Sequence, residues 1–338
     1  MTGQRKPRIA LLAAPESSPL VLFGLYDVLS AVGVVYLDMV CGEAGEALLD
    51  VVIAAASAEP FRCFGDVLVE PTCIDDLDGI DVVIVCDMYT AIDAPLTGCY
   101  GREIAWLKRL HAGGALITSV CSGSLVLAEA GLLDGGTCSA HWAYADLFRR
   151  HYPKVRLMLD SILNLDGAAR GIITAAGVMA WQDLALHLIT RLCGREHALR
   201  TAKIYLMTNH EDGQLPFAAM GRRIQKDDAA IAECQAWIAD NYTVSNPVAA
   251  MGERSGLKPR TFARRFKAST GYLPMDYVHA VRIEEAKQLI ETGAGNLDDI
   301  GFEVGYEDPT FFRRLFKRKA GLTPAAYRRK FVGVLAAE

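Results

Sequence analysis

The last hundred residues repeat themselves, and that repeat restricts the fold more than any other feature of the 338-residue chain. Phe262, Arg264, Phe266, Lys267, Gly271, Pro274 and Tyr277 recur 50 residues later as Phe312, Arg314, Phe316, Lys317, Gly321, Pro324 and Tyr327. Upstream the register slips by one, so that Met251 answers to Ile300 and Gly256 to Gly305, and the second copy carries one more residue in its turn. Each copy reads as a short helix, a turn containing Gly and Pro, and a second helix, which is a helix-turn-helix. In the first copy the leading helix is expected over residues 248–255, with Gly256 as its left-handed terminator and Pro259 in the first turn of the next helix. At 100° per residue Phe262 and Phe266 share one face while Arg260, Ala263, Arg264 and Lys267 point away from it. The second copy sets Phe312 and Phe316 inward and Thr310, Arg313, Arg314 and Lys317 outward. Arg pairs bidentately with guanine edges, Thr bonds a base or touches a thymine methyl, and Lys reads guanine or holds phosphate. Between the copies, residues 276–291 form an amphipathic helix with Ala280, Ile283, Ala286, Leu289 and Ile290 along its apolar side. Two recognition helices held by such a spacer and entering one face of a duplex sit about 34 Å apart.

The net charge conceals this arrangement. The chain carries 35 Lys and Arg against 40 Asp and Glu, or −5, which taken alone argues against a nucleic-acid binder. Residues 229–338 hold 16 against 13 and residues 1–228 hold 19 against 27, so the two parts are +3 and −8. Residues 258–267 contain five basic residues and residues 310–330 contain eight, with no acid in either run. One basic run is commonly a solvated helix face; two at equivalent places in a repeat are patches of the kind that meet phosphates.

At about 100 to 200 residues per domain the length implies two domains, and 51% hydrophobic with 22% charged residues implies a globular chain. Apolar runs such as 82–86 and 115–120 are far short of the roughly 20 residues that span a bilayer, and the run 9–14 is too short for a secretory signal. The expectation is a cytoplasmic protein with no membrane partner. Nine cysteines with no CxxC spacing imply reduced thiols rather than a disulfide framework or metal site, and no cofactor is expected.

Residues 8–207 alternate apolar β-branched runs with helical segments, the pattern of an α/β domain with a parallel sheet. Strands are expected at 8–13, 34–40, 82–86, 116–120 and 171–174. The stretch that carries chemistry is Ala115-Leu-Ile-Thr-Ser-Val-Cys121-Ser-Gly-Ser124, leading into a helix over 125–130. Such a strand-to-helix elbow places the thiol at a helix N-terminus, where free N–H groups and the dipole favour a thiolate. Cys121 therefore reads as a nucleophile or sensor thiol, or else as a small residue buried in a tight turn. Open α/β sheets bind ligands at the carboxyl ends of their strands, and the expected lining is Ser17, Asp87, Tyr89, Cys121, Ser122, His141 and Trp142. His141 reads equally as a satisfied hydrogen-bonding residue beside Trp142. A cationic ligand would be held by Asp87 with Tyr89 and Trp142. His187, Trp106, Trp181 and the remaining cysteines are expected to pack in the core. Residues 209–216 and 221–228, polar and punctuated by Gly and Pro, place a linker at 208–228 between domains 1–207 and 229–338.

Residues 229–331 resemble the AraC/XylS transcription-regulator domain. The likeness rests on Gly256-Leu-Lys-Pro-Arg-Thr-Phe-Ala-Arg-Arg-Phe-Lys267, on Gly305-Tyr-Glu-Asp-Pro-Thr-Phe-Phe-Arg-Arg-Leu-Phe-Lys317 and on Gly321-Leu-Thr-Pro-Ala-Ala-Tyr-Arg328. It implies that Arg260, Arg264, Lys267, Thr310, Arg313 and Arg314 meet bases or backbone of double-stranded DNA, and that Arg282 is the linker-helix arginine of that surface. Pro309 departs from a position often polar in the family.

Cys121-Ser-Gly-Ser-Leu-Val-Leu-Ala-Glu-Ala-Gly-Leu-Leu-Asp-Gly-Gly136, Ser139-Ala-His-Trp142, Thr174-Ala-Ala-Gly-Val-Met-Ala180 and Asp183-Leu-Ala-Leu186 resemble the PfpI-like, class I glutamine-amidotransferase-like domain. The order of the two domains is that of GlxA-family regulators. The implied fold is a flavodoxin-like parallel sheet sandwiched by helices, then an all-α domain with two helix-turn-helix units. In enzymes of that superfamily an elbow cysteine works with a histidine, an acid from the first helix and backbone donors of a Gly-Gly turn. Cys121 and His141 match, but Val21 stands where the acid should be and Asp87-Met88 replaces the glycine pair. Each lost donor removes about 10²- to 10³-fold of acyl-transfer rate. The resemblance thus implies a transcriptional activator and not an enzyme. A small nitrogen-containing metabolite would bind the non-catalytic domain, which also forms a homodimer, and RNA polymerase is a further partner. The alternatives are a Cys121-dependent hydrolase or hydratase with a DNA-targeting domain, and a thiol redox sensor.

Overall fold

Apolar strands flanked on both faces by helices build the first of two units, which meet in the chain at Gln214 and Leu215 of a computed structural model describing residues 5–165, 167, 171–219, 228–293 and 295–335. Its strands are β1 (Arg8–Leu12), β2 (Asp50–Ala55), β3 (Phe61–Cys63), β4 (Val67–Val69), β5 (Thr72–Cys73), β6 (Val82–Val85), β7 (Leu116–Val120), β8 (Thr137–Cys138), β9 (Arg156–Leu157), β10 (Leu163–Asn164) and β11 (Ile172–Ala175). The main sheet runs β10-β11-β7-β6-β1-β2-β5 and is parallel except for the β10–β11 edge pair. Its five longer strands therefore follow the flavodoxin order, with the switch point between β1 and β6.

Helices α1 (Pro19–Ser30), α2 (Gly101–Ala112), α3 (Gly123–Glu129), α4 (Ala145–His151), α5 (Trp181–Cys193) and α6 (Arg195–Ile204) complete the unit. One core packs Val21, Leu22 and Leu25 of α1 with Leu184 and Leu188 of α5 against one sheet face. The other packs Trp106, Leu125 and Phe148 against the opposite face. Strands covered on both sides need apolar residues at every position, which is why β6 and β7 read as unbroken runs.

The strand expected at 34–40 is not formed. That segment coils helically into a π-turn at Leu37–Cys41 with Met39 and Val40 exposed, and the true second strand is Asp50–Ala55, paired with β1 from Arg8↔Asp50 to Leu12↔Ala54. β-propensity is realised only where a partner strand exists, and both runs had the composition for it. The core assignment also fails for two thiols, since Cys41 and Cys99 are exposed and Cys73 and Cys193 are half-buried. Trp106 and Trp181 are core residues as expected.

The second unit holds α7 (Ala229–Asp240), α8 (Pro247–Arg254), α9 (Pro259–Thr270), α10 (Pro274–Glu291), α11 (Leu297–Glu303), α12 (Pro309–Ala320) and α13 (Pro324–Leu335). Two small cores lie in it. Phe262 and Phe266 join Ile231, Ile238 and Met251 in one, and Phe312 and Phe316 join Ile300, Val304 and Tyr327 in the other. Helix α10 serves both, with Val278 and Val281 in the first and Ile283, Ala286 and Ile290 in the second. It is a continuous helical spacer, as its sequence implied. The expected linker is not slack over its first half, because residues up to Gln214 pack on the first unit and residues from Leu215 on the second. Residues 220–227 of that linker lie outside the described residues. Among the described residues no helix is long and apolar enough to cross a membrane.

Candidate functional site

The β7 strand delivers Cys121 into a left-handed backbone conformation at φ +54, an arrangement that a non-glycine residue adopts only under local constraint. The constraint is visible. The Cys121 N–H donates to the Ala175 carbonyl, and the Cys121 carbonyl accepts from the Ser124 hydroxyl at 2.7 Å. Gly123 runs so close to β6 that a Cβ there would lie 2.3 Å from the Val85 carbonyl oxygen, so only glycine fits the elbow.

Directly across, at the end of β6, sits the Asp87 side chain. Its carboxylate accepts from the Ser122 hydroxyl at 2.7 Å and from the Ser122 N–H at 3.3 Å. The Met88 N–H donates to Ser122 Oγ at 2.7 Å. The backbone donors after the elbow cysteine and after β6, which in an acyl-transfer enzyme would face a developing oxyanion, are thus taken up within the protein. Burial pushes the Cys121 thiol well above the ordinary range, and the charge and hydrogen bond of Asp87 push it the same way; the Ser122 backbone acts weakly in the opposite direction. The thiolate expected from the helix N-terminus is therefore corrected to a neutral thiol, because burial and a neighbouring carboxylate outweigh the dipole of a helix of seven residues.

His141 lies within the field of the same carboxylate. Burial lowers its pKa, Asp87 partly opposes this, and its Nδ1 accepts the Ala143 N–H at 3.1 Å, which places the proton of the neutral ring on Nε2. Its ring lies 4.9 Å from that of Trp142 and 6.4 Å, edge on, from that of Tyr144. Tyr144 was missed in the sequence although it lies three residues after His141. Its hydroxyl meets Thr90 at 3.1 Å, its pKa is raised by burial, and it interacts with Cys121, Asp87 and Ser122. The structure thus brings together Asp87, Cys121, Ser122, His141 and Tyr144, with Trp142 beside them.

The other two expected lining residues, Ser17 and Tyr89, flank the Asp87-Met88 turn. Ser17 is fully buried, its backbone bridges Met88, and its hydroxyl closes the turn after β1 by accepting the Ala14 N–H. Tyr89 is half-exposed and stacks on Phe64 at 3.8 Å. Among the described residues no group of His, Cys, Asp and Glu could hold a metal ion.

In the second unit, Gly256 and Gly305 both take left-handed conformations, at φ +63 and +89, and turn the chain from α8 into α9 and from α11 into α12. Pro259 and Pro309 occupy the first turn of the second helix in each copy. The departure at Pro309 is thus a matched helix start, where the missing N–H is not needed. Arg260, Arg264 and Lys267 are exposed on α9, with Ala263 partly so; Thr310, Arg313, Arg314 and Lys317 are exposed on α12. Arg314 lies over the Phe311 ring at 5.8 Å, and Arg313 is paired with Asp298 at 2.6 Å.

Arg282 requires a correction. It is only 6% exposed, and its guanidinium donates to the carbonyls of Tyr242, Gly305 and Val244 while lying over the Tyr306 ring. It ties the α7–α8 loop and the α11–α12 turn to α10, with three of its five N–H groups taken by carbonyls in a buried setting that does not face a DNA surface. Arg265, not singled out in the sequence, makes a bidentate pair with Asp228, the N-cap of α7.

Comparison with known proteins agrees with both units. A sequence model of the DJ-1/PfpI family matches residues 7–191, and one of a helix-turn-helix domain matches residues 251–330. The chain is 25% identical over 239 residues to the HTH-type transcriptional regulator CdhR of Pseudomonas aeruginosa, spanning 68% of each. It is 28% identical over 228 residues to the HTH-type transcriptional regulator GlxA of Rhizobium meliloti, spanning 66% of this chain and 68% of that one. Among solved structures, DJ-1beta of Drosophila melanogaster matches with a TM-score of 0.50 and 21% identity, over 61% of this chain and all of that one, and so shares the fold.

Proposed function

The chain belongs to the DJ-1/PfpI family and carries an AraC-type helix-turn-helix domain, and from that premise we propose that it is a transcription regulator whose first unit senses a small molecule without catalysis. One observation carries the DNA-binding part: two helix-turn-helix units present Arg260, Arg264 and Lys267 and Thr310, Arg314 and Lys317 outward, while the paired phenylalanines of each second helix are buried behind them. Arg264 and Arg314 occupy the same place in the two copies and are the residues assigned to base edges; Lys267 and Lys317 are assigned to phosphates. Ala263 offers a methyl-sized contact beside Arg264. Arg313 joins this surface when it leaves Asp298.

The first unit is proposed to bind its effector at Asp87, Cys121, Ser122, His141, Tyr144 and Trp142, with dimerisation through the same unit and activation through RNA polymerase. What supports a non-catalytic reading is the Asp87 carboxylate bonded to Ser122. It occupies the Ser122 N–H that an oxyanion would need and, after burial, is the second cause of the raised thiol pKa. The same raised pKa disfavours a redox sensor, which needs an accessible thiolate. A mostly neutral cluster of one carboxylate and the rings of His141, Trp142 and Tyr144 has the chemistry to hold a small cationic nitrogen compound.

Selection of duplexes from a random pool by the full chain tests the proposal. Recovery of a site with two half-sites spaced by about one helical turn supports it. A thermal-shift screen of amines and amino acids, in which a bound ligand raises the midpoint of the wild type but not of Asp87→Ala, tests the pocket. Turnover of any such compound by the wild type that Cys121→Ala abolishes would overturn the non-catalytic reading.

A further inference from the structure

We infer that Gln214 couples the His141 loop to the DNA-binding unit, and that residues 208–219 are a strap through which occupancy of the pocket reaches the helix-turn-helix pair. The inference rests on the reading of the first unit as a sensor and names how its signal leaves the site.

Gln214 lies in a segment whose polar, glycine-punctuated sequence reads as loose linker, yet it is only 3% exposed. Its side-chain carbonyl accepts the Trp142 N–H at 2.9 Å, and its amide donates to the Ala140 carbonyl at 3.0 Å. Both bonds go to the residues on either side of His141, so a single side chain brackets the pocket histidine. A buried amide satisfied at both ends rigidly fixes what it holds, and loss of either partner leaves a polar group without its bond. Upstream, His210 clamps the strap to Asp183, with Nδ1 at 2.7 Å from one carboxylate oxygen and its backbone N–H on the other. At Gly213, φ +68, a Cβ would lie 2.4 Å from the Asp160 carbonyl oxygen. That side of the strap therefore fits its unit closely.

Beyond Gln214 the strap is tied at once to the other unit. Leu215–Phe217 form a short turn, and Phe217 packs edge to face on Phe331 of α13 while Lys330 lies over its ring. The Ala218 carbonyl accepts from Lys287 Nζ at 2.6 Å. Lys287 is itself buried on α10, the spacer shared by both helix-turn-helix cores, and its charge is met by Glu284. Three residues separate Gln214 from Ala218, too few for the slack of a flexible linker. A displacement of the 140–142 backbone that keeps the two Gln214 bonds moves the chain directly before the turn seated on α13 and α10. A two-sided anchor of this kind passes on a shift that a loose tether would absorb.

The test is a cycle on the full chain with a duplex that the wild type has selected from a random pool. His141→Ala, which perturbs the pocket, is expected to change the DNA dissociation constant about fivefold or more, the range of ordinary allosteric couplings. In the presence of Gln214→Leu that change should shrink to within about twofold. Insertion of Gly-Ser-Gly-Ser between Gln214 and Leu215 leaves both anchors in place and should abolish the coupling equally, with melting of the protein unaltered, which separates lost transmission from lost folding. An additive cycle, or full coupling in the insertion variant, overturns the inference. So does a His141→Ala protein that binds the selected duplex as the wild type does. Failure of the wild type to select any duplex would instead overturn the regulator reading itself.

Discussion

The Asp87 carboxylate holds both the hydroxyl and the backbone N–H of Ser122, the residue that follows the elbow cysteine, at 2.7 and 3.3 Å. One side chain thereby takes up the donor an acyl-transfer enzyme would use and adds to the burial that raises the pKa of the adjacent thiol.

Asp87→Asn keeps an acceptor for Ser122 and removes the charge. Burial, the largest cause of the raised thiol pKa, remains, so the Cys121 pKa should fall only part of the way towards the ordinary range. Its iodoacetamide reaction rate, followed against pH in a variant with Cys41 and Cys99 replaced, should rise at lower pH than in the wild type. An unshifted profile would show that Asp87 does not act on the thiol. Asp87→Ala, which strands Ser122, should also destabilise the protein by about 1 to 3 kcal/mol in urea.

Alkaline stability follows from the same thiols. Burial raises Cys138 from 9.0 to about 12, so the folded state keeps a proton that the unfolded chain releases above pH 9. A folded pKa above the unfolded value contributes stability that is complete below pH 9 and is lost as the pH rises towards 12, at about 1.4 kcal/mol per unit for one thiol. Urea midpoints measured from pH 8 to 10.5 should therefore decline, and Cys138→Ala should flatten the decline whatever its effect at pH 8.

Arg282→Met keeps the apolar stem but leaves the carbonyls of Tyr242, Val244 and Gly305 without their donor, and should destabilise the second unit by about 3 kcal/mol. Below its melting temperature the variant should bind a selected duplex within a few-fold of the wild type. A large loss of affinity in a protein still fully folded by circular dichroism would restore Arg282 to the DNA surface. Gly305 shares in this packing, since a Cβ there would lie 3.0 Å from the Arg282 guanidinium carbon and φ is +89.

What the sequence revealed and what it concealed divide by range of interaction. The paired phenylalanines, the glycine after α8 and α11 and the prolines that start α9 and α12 are local signals, and each element stands within a residue or two of its expected place. The elbow at Cys121 is local as well. The exchange of residues 34–40 for Asp50–Ala55 was not visible, because both are apolar and β-branched and only pairing with β1 distinguishes them. Tyr144 bonds Thr90, 54 residues away, and Gln214 bonds Ala140 and Trp142, 74 and 72 residues away, separations that no periodicity records. The burial of Arg282 depends on two loops folding back over α10, so a residue that reads as a free cation proves to be a tertiary anchor.

Neighbouring arginines on α9 give the sharpest contrast between contact and scaffold. Arg264 is exposed, whereas Arg265 is committed to Asp228, whose carboxylate pKa it lowers through a bidentate hydrogen bond. Arg264→Ala should weaken binding to a selected duplex by about 1 to 3 kcal/mol, relax base preference at one position of each half-site, and leave urea stability unchanged. Arg265→Ala should do the reverse. It loosens the N-terminus of α7, with a stability loss of about 1 kcal/mol or less because the pair is partly solvated, and alters affinity equally for all sequences. Binding curves on the selected site and on single-base variants, at two salt concentrations, separate the outcomes. A uniform loss for Arg264→Ala across every variant, with a salt slope reduced by about one, would make it a phosphate contact and move base reading to Arg260.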